Sequence, residues 1–267
     1  LPFPPIGIIK NAFIKNIIIR LFSFMLIFIM SIDFSLVLPC FNEEENITHL
    51  FDEFSKLPLE NEKVEIIFVN NGSTDDTEKS IDEAKNKNTN KNISVKKINL
   101  NINKGYGGGI EAGLRDALGN YIGWSHADLQ TPLIDFYKLY KLIKDKKNVL
   151  GKGVRINNRG YDGIISRLHE KCASIILGFE MKEINAQPKI FHKDLLNYFD
   201  NMPKQWTVLD TYVVYVCLKK NIKIEEINVV FKNRLYGSSK WKNNINKFIK
   251  TIFFNFLYLF KLRFSKN

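Results

Sequence analysis

Residues 121–132, YIGWSHADLQTP, carry the side chains whose types and spacing are best suited to chemistry. The apolar run Tyr121–Trp124 predicts a strand that ends in a loop bearing His126, Asp128 and Gln130. A carboxylate and an amide two residues apart, just past the carboxyl end of a strand, lie where open α/β sheets bind ligands. Such oxygen donors suit a hard divalent cation, Mg²⁺ or Mn²⁺, that bridges phosphates. Thr131 is expected to cap the following helix, with Pro132 at its first position. A polar loop that merely caps a helix would read the same way, so other stretches have to decide.

Two of these stretches also follow predicted strands. In Pro39–Glu43 and Asn70–Asp76, the amides of Asn70 and Asn71 could accept the N–H edge of a base, and Glu43 could hold ribose hydroxyls. Gly72, Ser73 and Asp75 equally suit a tight turn. The run NKGYGGGIEAGL contains Gly107, Gly109 and Ala112 in a G-x-G-x-x-A pattern, with Asp128 near the distance of a ribose-binding acid. That dinucleotide fingerprint normally follows the first strand, whereas this one follows the third. Its other reading is a helix that must pack closely on the sheet. Arg234, Tyr236, Gly237, Ser238, Ser239 and Lys240 combine cations with small residues, which suits phosphate or a solvated basic loop. No Walker-type loop, HExxH or nucleophile elbow occurs, and His49, His126, His169 and His192 are scattered.

The positioning elements follow from periodicity. Strands are expected at Phe34–Leu38, Val64–Val69, Ile93–Leu100 and Tyr121–Ser125. Between them lie a helix after an Asn42–Glu45 capping signature, one from near Thr74, and one opening in the glycine run. This alternation predicts a mostly parallel sheet flanked by helices. Beyond Lys144 the pattern loosens: Val149–Val154 strand, Ile164–Leu177 helix, Ile184–Phe191 extended, Asp210–Leu218 helix, Ile222–Phe231 strand.

Residues 245–263 are apolar between lysines and an arginine. Their central run, Thr251–Phe260, is too short to cross about 30 Å of hydrocarbon, which predicts a helix lying on a membrane surface, a core helix or an oligomer contact being the alternative. The apolar stretch before residue 30 is interrupted by Arg20, and Met30 reads as a natural start with translated upstream sequence before it. The expected organisation is an uncertain extension at 1–32, one domain at 33–243 and a membrane-associated helix at 244–267.

The chain has 267 residues and is 45% hydrophobic, enough for a real core. A formal net charge of +11 implies acidic partners such as nucleotide phosphates, nucleic acid or an anionic membrane, without choosing among them. Cys40, Cys172 and Cys217 are odd in number and lack metal-site spacing, which points to a reducing, cytoplasmic compartment.

Taken together and in order, the loops resemble the family 2 inverting glycosyltransferases, nearest the dolichyl- and undecaprenyl-phosphate sugar transferases. LPCFNEEENI resembles the family's P-x-Y-N-E segment with Phe41 for tyrosine, and VNNGSTDDT stands where it has V-D-D-G-S-x-D-x-T. NKGYGGGIEAGL matches its glycine segment loosely. HADLQTP aligns with D-A-D-L-Q-x-P, and VVFKNRLYGSSKW with P-x-x-F-x-x-R-x-x-G-x-S-K. The resemblance runs from about Asp33 to Trp241 and implies a Rossmann-like GT-A fold with a C-terminal amphipathic helix.

It further implies inverting transfer of a sugar from a UDP- or GDP-linked donor to polyprenyl phosphate or another lipid-linked acceptor, at the cytoplasmic face of a membrane. Nucleic acid is not among the implied partners, and oligomeric state is left open. The implied donor site comprises Pro39, Phe41, Glu43, Asn70, Asn71, Ser73, Lys104, Gly105 and Arg155. Asp128, Gln130 and His126 would hold the cation, and Arg234 and Lys240 the phosphates, with Arg159 and Arg167 as further candidates. Asp210 would be the base if the acceptor were a hydroxyl; it could equally cap its helix. His126 replaces the family's first aspartate, and imidazole binds Mn²⁺ better than Mg²⁺, so metal preference is expected to shift. The competing readings are a non-catalytic nucleotide-sugar binder and an NAD(P)-linked oxidoreductase.

Overall fold

The computed structural model describes residues 31–157, 160–234 and 245–265, the side chains of 161, 162, 206, 207 and 245–249 excepted. Arg159, Lys240 and the 236–239 cluster, like the apolar stretch before residue 30, lie outside the described residues. Among the described residues seven strands form one sheet: β1 (Phe34–Cys40), β2 (Val64–Asn71), β3 (Ile93–Leu100), β4 (Tyr121–Trp124), β5 (Val149–Arg155), β6 (Lys189–His192) and β7 (Lys223–Val229). Their order is β3-β2-β1-β4-β6-β5-β7. Every pairing is parallel except those of β6, which runs antiparallel to both β4 and β5.

Alternate residues of β1 feed two cores, which is why the strand is apolar throughout rather than on one face. Phe34, Leu36 and Leu38 pack with Ile66 and Phe68 of β2 against α1 (Glu44–Ser55), α2 (Thr77–Lys87) and α4 (Leu133–Ile143). Val37 packs with Ile67 and Val69 against α3 (Gly105–Asp116), α5 (Gly160–Leu177), α6 (Trp206–Lys219) and α7 (Ile245–Phe264). Leu259 and Leu262 of α7 are buried in this second core, and Arg263 Nη1 donates to the Leu177 carbonyl, so α7 is docked on the domain. No helix among the described residues is long and apolar enough to cross a membrane.

Strand β2 lies on one side of β1 and β4 on the other, so the chain reverses its direction of winding between β1 and β4. A crevice opens at the carboxyl ends of strands where that reversal occurs. The loops after Cys40 and after Trp124 flank this crevice.

Two helix starts differ from expectation. Asn42 does not cap α1: it adopts a left-handed conformation (φ 58°), and its Oδ1 accepts from Thr74 N–H in the loop after β2. Glu43 occupies the cap position instead, without a side-chain cap bond. Pro132, not Thr131, precedes α4, and the free Leu133 N–H donates to Glu53 Oε2 of α1 at 3.1 Å. A tertiary carboxylate thus replaces the local hydroxyl, an exchange that local sequence cannot reveal.

Candidate functional site

The glycine run is a packing device. Gly105 has φ +77°, and a side chain there would press on the Lys204 carbonyl. Gly107 donates its N–H to that carbonyl at 2.9 Å, and a Cβ on Gly113 would strike Val37 of β1. The glycines therefore let α3 lie against both the sheet and the loop entering α6, as the close-packing reading holds. Asn71 fixes the start of this helix: its Oδ1 accepts from Lys104 N–H and its Nδ2 donates to the Gly105 carbonyl, each at 2.9 Å.

The loops after β1 and β2 are laced together. Asn42 N–H donates to Ser73 Oγ at 3.1 Å, Glu43 N–H to Thr77 Oγ1 at 2.9 Å, and Asp76 N–H to Glu44 Oε2 at 2.8 Å. Asn70 Oδ1 accepts from Ser73 N–H, and its Nδ2 donates to Asn99 Oδ1. The amides of Asn70 and Asn71 and the hydroxyl of Ser73 are thus all bonded within the protein, shaping the rim. Lys104 is exposed at the rim, while Pro39 and half-buried Phe41 lie at the end of β1.

Behind that rim, Glu43 Oε2 accepts from Asn46 Nδ2 at 2.6 Å. Burial pushes its carboxyl from an ordinary 4.5 to about 7; Asp128 and Asp75 add to the rise, while Asn46 and Arg234 oppose it. Asp128 is 5% exposed. Its Oδ1 accepts from Gln130 N–H at 3.2 Å, and its Oδ2 pairs with Arg234 Nη2 at 3.1 Å. The same guanidinium donates through Nε to Gln130 Oε1 at 3.1 Å. Gln130 and Lys232 then close a clasp: Lys232 N–H donates to the Gln130 carbonyl at 2.8 Å, and Gln130 Nε2 to the Lys232 carbonyl at 3.0 Å.

One guanidinium held by Asp128 and Gln130 marks the point where these oxygens favour a cation, which is the test of fit for a divalent ion. Both are hard oxygen donors, and His126 adds a nitrogen of borderline softness. His126 Nδ1 lies 3.2 Å from Tyr106 Oη, and burial pushes the imidazole below its ordinary range against the opposing pull of Asp128 and Asp210, which favours the neutral, metal-ligating form. Among the described residues no group of three or more His, Cys, Asp or Glu gathers for a metal, so the donor set is lean.

Asp210 lies inside α6, not at its cap, and is buried. Its Oδ1 pairs with Lys189 Nζ at 2.7 Å, and Gln187 Nε2 donates to both oxygens at 3.1 and 3.2 Å. Lys189 is fully buried, which pulls its ammonium down to about 8 against the opposing pull of Asp210. Because β6 runs antiparallel, Lys189 stands beside Trp124 at the carboxyl end of β4. Arg155 pairs with Glu183 and has its guanidinium 6.0 Å from the Phe231 ring; its Nη2 is buried with no hydrogen-bond partner among the described residues. Phe231 also contacts the His126 ring at 6.2 Å, joining Arg155 to the Asp128 loop.

Tyr106, Gln187 and Lys189 were not apparent from sequence. A lysine inside the otherwise apolar extended segment Pro188–Phe191 was the available signal.

A family model described as Glycosyl transferase family 2 matches residues 35–213. The chain is 38% identical over 221 residues to an uncharacterized glycosyltransferase of Synechocystis, covering 79% of this chain and 65% of that one. It is 28% identical over 213 residues to undecaprenyl-phosphate 4-deoxy-4-formamido-L-arabinose transferase of Proteus mirabilis, covering 78% and 62%. It thus spans less than two thirds of the length of these relatives. Glucosyl-3-phosphoglycerate synthase of Mycobacterium tuberculosis, solved in complex with Mg²⁺ and UDP, shares the fold at a TM-score of 0.64 and 18% identity, covering 85% of this chain and 79% of that one. The same protein has been solved with Mn²⁺, UDP and glucosyl-3-phosphoglycerate. The chain belongs to the family 2 glycosyltransferases.

Proposed function

We propose that this protein transfers a sugar from a nucleoside-diphosphate sugar to a polyprenyl phosphate, with inversion at the anomeric carbon. The observation that carries this reading is the Asp128–Gln130–Arg234 clasp at the crevice between β1 and β4, with Glu43 behind it. Family membership and the undecaprenyl-phosphate relative support the donor and acceptor classes.

Asp128 and Gln130, with His126, would hold a divalent cation, and that ion when bound would neutralise charge on the departing diphosphate. Glu43 would take the ribose hydroxyls, with Pro39 and Phe41 walling the base. Asn70, Asn71, Ser73, Lys104 and Gly105 shape and line the rim around the donor. Arg234 and Lys240 would bind donor phosphates, and Arg155 a phosphate of donor or acceptor. A phosphate monoester is anionic at neutral pH, so attack needs no strong base. Asp210, already accepting from an ammonium and an amide, is poorly placed to take a proton and serves instead to hold Lys189.

A polyprenyl acceptor would place the enzyme at a membrane surface, on this reading the cytoplasmic face. Phe253 (62% exposed), Leu257 (51%) and Phe264 (77%) on α7 present apolar surface beside exposed Lys250 and Lys261, a pattern that suits anionic headgroups. The test is a transfer screen of UDP- and GDP-sugars against undecaprenyl and dolichyl phosphate. Sugar transfer to a polyprenyl phosphate is the expected result. Nucleotide-sugar binding without turnover across that panel would replace it with the binder reading, and preference for NADH over every nucleoside diphosphate would overturn it.

A further inference from the structure

We infer that Arg234 is a built-in counter-cation that occupies the ligands of the divalent ion until the ion displaces it. The inference rests on the reading that Asp128 and Gln130 hold that ion.

Asp128 is nearly fully buried, and a buried carboxylate without a partner is strongly disfavoured. Arg234 supplies that partner. Its planar fork reaches Asp128 Oδ2 with Nη2 and Gln130 Oε1 with Nε, both at 3.1 Å, so one side chain spans the two oxygens an ion would need. The remaining Asp128 oxygen accepts from Gln130 N–H, and Gln130 Nε2 donates to Lys232. Gln130 has only this one side-chain oxygen and Asp128 Oδ1 already accepts one protein hydrogen bond, so an ion that takes both residues meets Arg234 at the same atoms.

A divalent ion must compete with Arg234 for the same atoms. The backbone bond from Lys232 N–H to the Gln130 carbonyl involves neither side-chain oxygen, so it survives the exchange. Arg234 is thus kept beside the crevice when its side chain swings away, and its side chain is 36% exposed, leaving room to do so. Release would turn it from a ligand of Asp128 into a cation free for a diphosphate. The clasp makes nucleotide-free metal binding weak by design and links strong metal binding to the arrival of another anion for Arg234.

The experiment is a Mn²⁺ titration of the full chain by electron paramagnetic resonance, without nucleotide, sugar or lipid. Hydrogen bonds to charged groups set the scale: Arg234→Gln should bind Mn²⁺ roughly ten- to a hundredfold more tightly than wild type. Arg234→Lys, which keeps charge without the fork, should fall between. The gain should vanish in Arg234→Gln/Asp128→Asn. Circular dichroism confirms that each variant is folded. Unchanged or weaker Mn²⁺ binding in folded Arg234→Gln, while Asp128→Asn lowers wild-type binding, would overturn the counter-cation and leave the metal assignment standing. A gain that persists in the double variant would overturn both. Because no turnover is measured, the inference stands or falls separately from sugar transfer.

Discussion

Glu43 should make the folded protein less stable as pH rises from about 4.5 to about 7, and Glu43→Gln should remove that loss. The carboxyl moves from an ordinary 4.5 to about 7 because burial disfavours its charge and Asp128 and Asp75 repel it. Below pH 4.5 it is protonated in both states and has no effect. Between 4.5 and 7 the unfolded chain releases the proton while the folded chain keeps it, so stability falls with rising pH; above about 7 the loss is complete. At about 1.4 kcal/mol per pH unit the full difference is roughly 3 kcal/mol, and partial exposure of Glu43 reduces this to about 2 kcal/mol. Glutamine retains an oxygen for Asn46 Nδ2, so Glu43→Gln should be more stable than wild type by about that amount at pH 8, or roughly 4–8 °C in Tm, and equal at pH 4. It should also weaken nucleotide-sugar binding, a group kept for function at the expense of stability. The assay is urea unfolding of both proteins from pH 4 to pH 8 in chelator. A difference that stays constant across that range, or a variant less stable at pH 8, would refute the reasoning.

Asp128→Asn should lower transfer by roughly a hundredfold or more, since an oxyanion-type contact is worth about 3 kcal/mol, and Gln130→Ala should lower it less. His126→Asp should stay active and shift preference from Mn²⁺ towards Mg²⁺; full activity of Asp128→Asn in chelator would remove the metal assignment. Lys189→Met should cost about 3–5 kcal/mol by stranding Asp210, and Lys189→Met/Asp210→Leu should regain most of it. Equal urea midpoints for the single and double variants would sink the coupling. Phe253→Ser with Leu257→Ser should abolish pelleting with anionic liposomes while leaving the unfolding free energy within about 0.5 kcal/mol of wild type, because both side chains are exposed. Retained pelleting would contradict the membrane contact. Deleting α7 would be a poorer test, since Leu259 and Leu262 belong to the core.

Phe34–Leu38 and Val64–Val69 read as strands from sequence because buried parallel strands are apolar on both faces, whereas Ile93–Leu100 alternates apolar with polar residues as the half-exposed edge strand it is; each lies within an observed strand. The same local logic placed Asp128 and Gln130 in a loop at a strand's carboxyl end. It misjudged Asn42 and Thr131, since an N–H at a helix start can be met by any nearby acceptor, and here the acceptors came from elsewhere.

The glycine run shows the limit from another side. Its spacing resembles a phosphate cradle, but its contacts with Val37, Pro203 and Lys204 show close packing. Only the fold could distinguish these, because both uses require a missing Cβ.

Sequence alone therefore determined the alternating architecture, the loops at the carboxyl edge and the residue types within them, all of which depend on neighbours a few positions apart. Tertiary structure decided the pairings. Antiparallel β6 carries Lys189 to Trp124 and Asp210, and the extended segment after β7 returns Arg234 to a carboxylate 106 residues earlier. Such partners are chosen by strand order and direction, and the charge of a lone lysine or arginine says only that a partner is needed when the chain buries it.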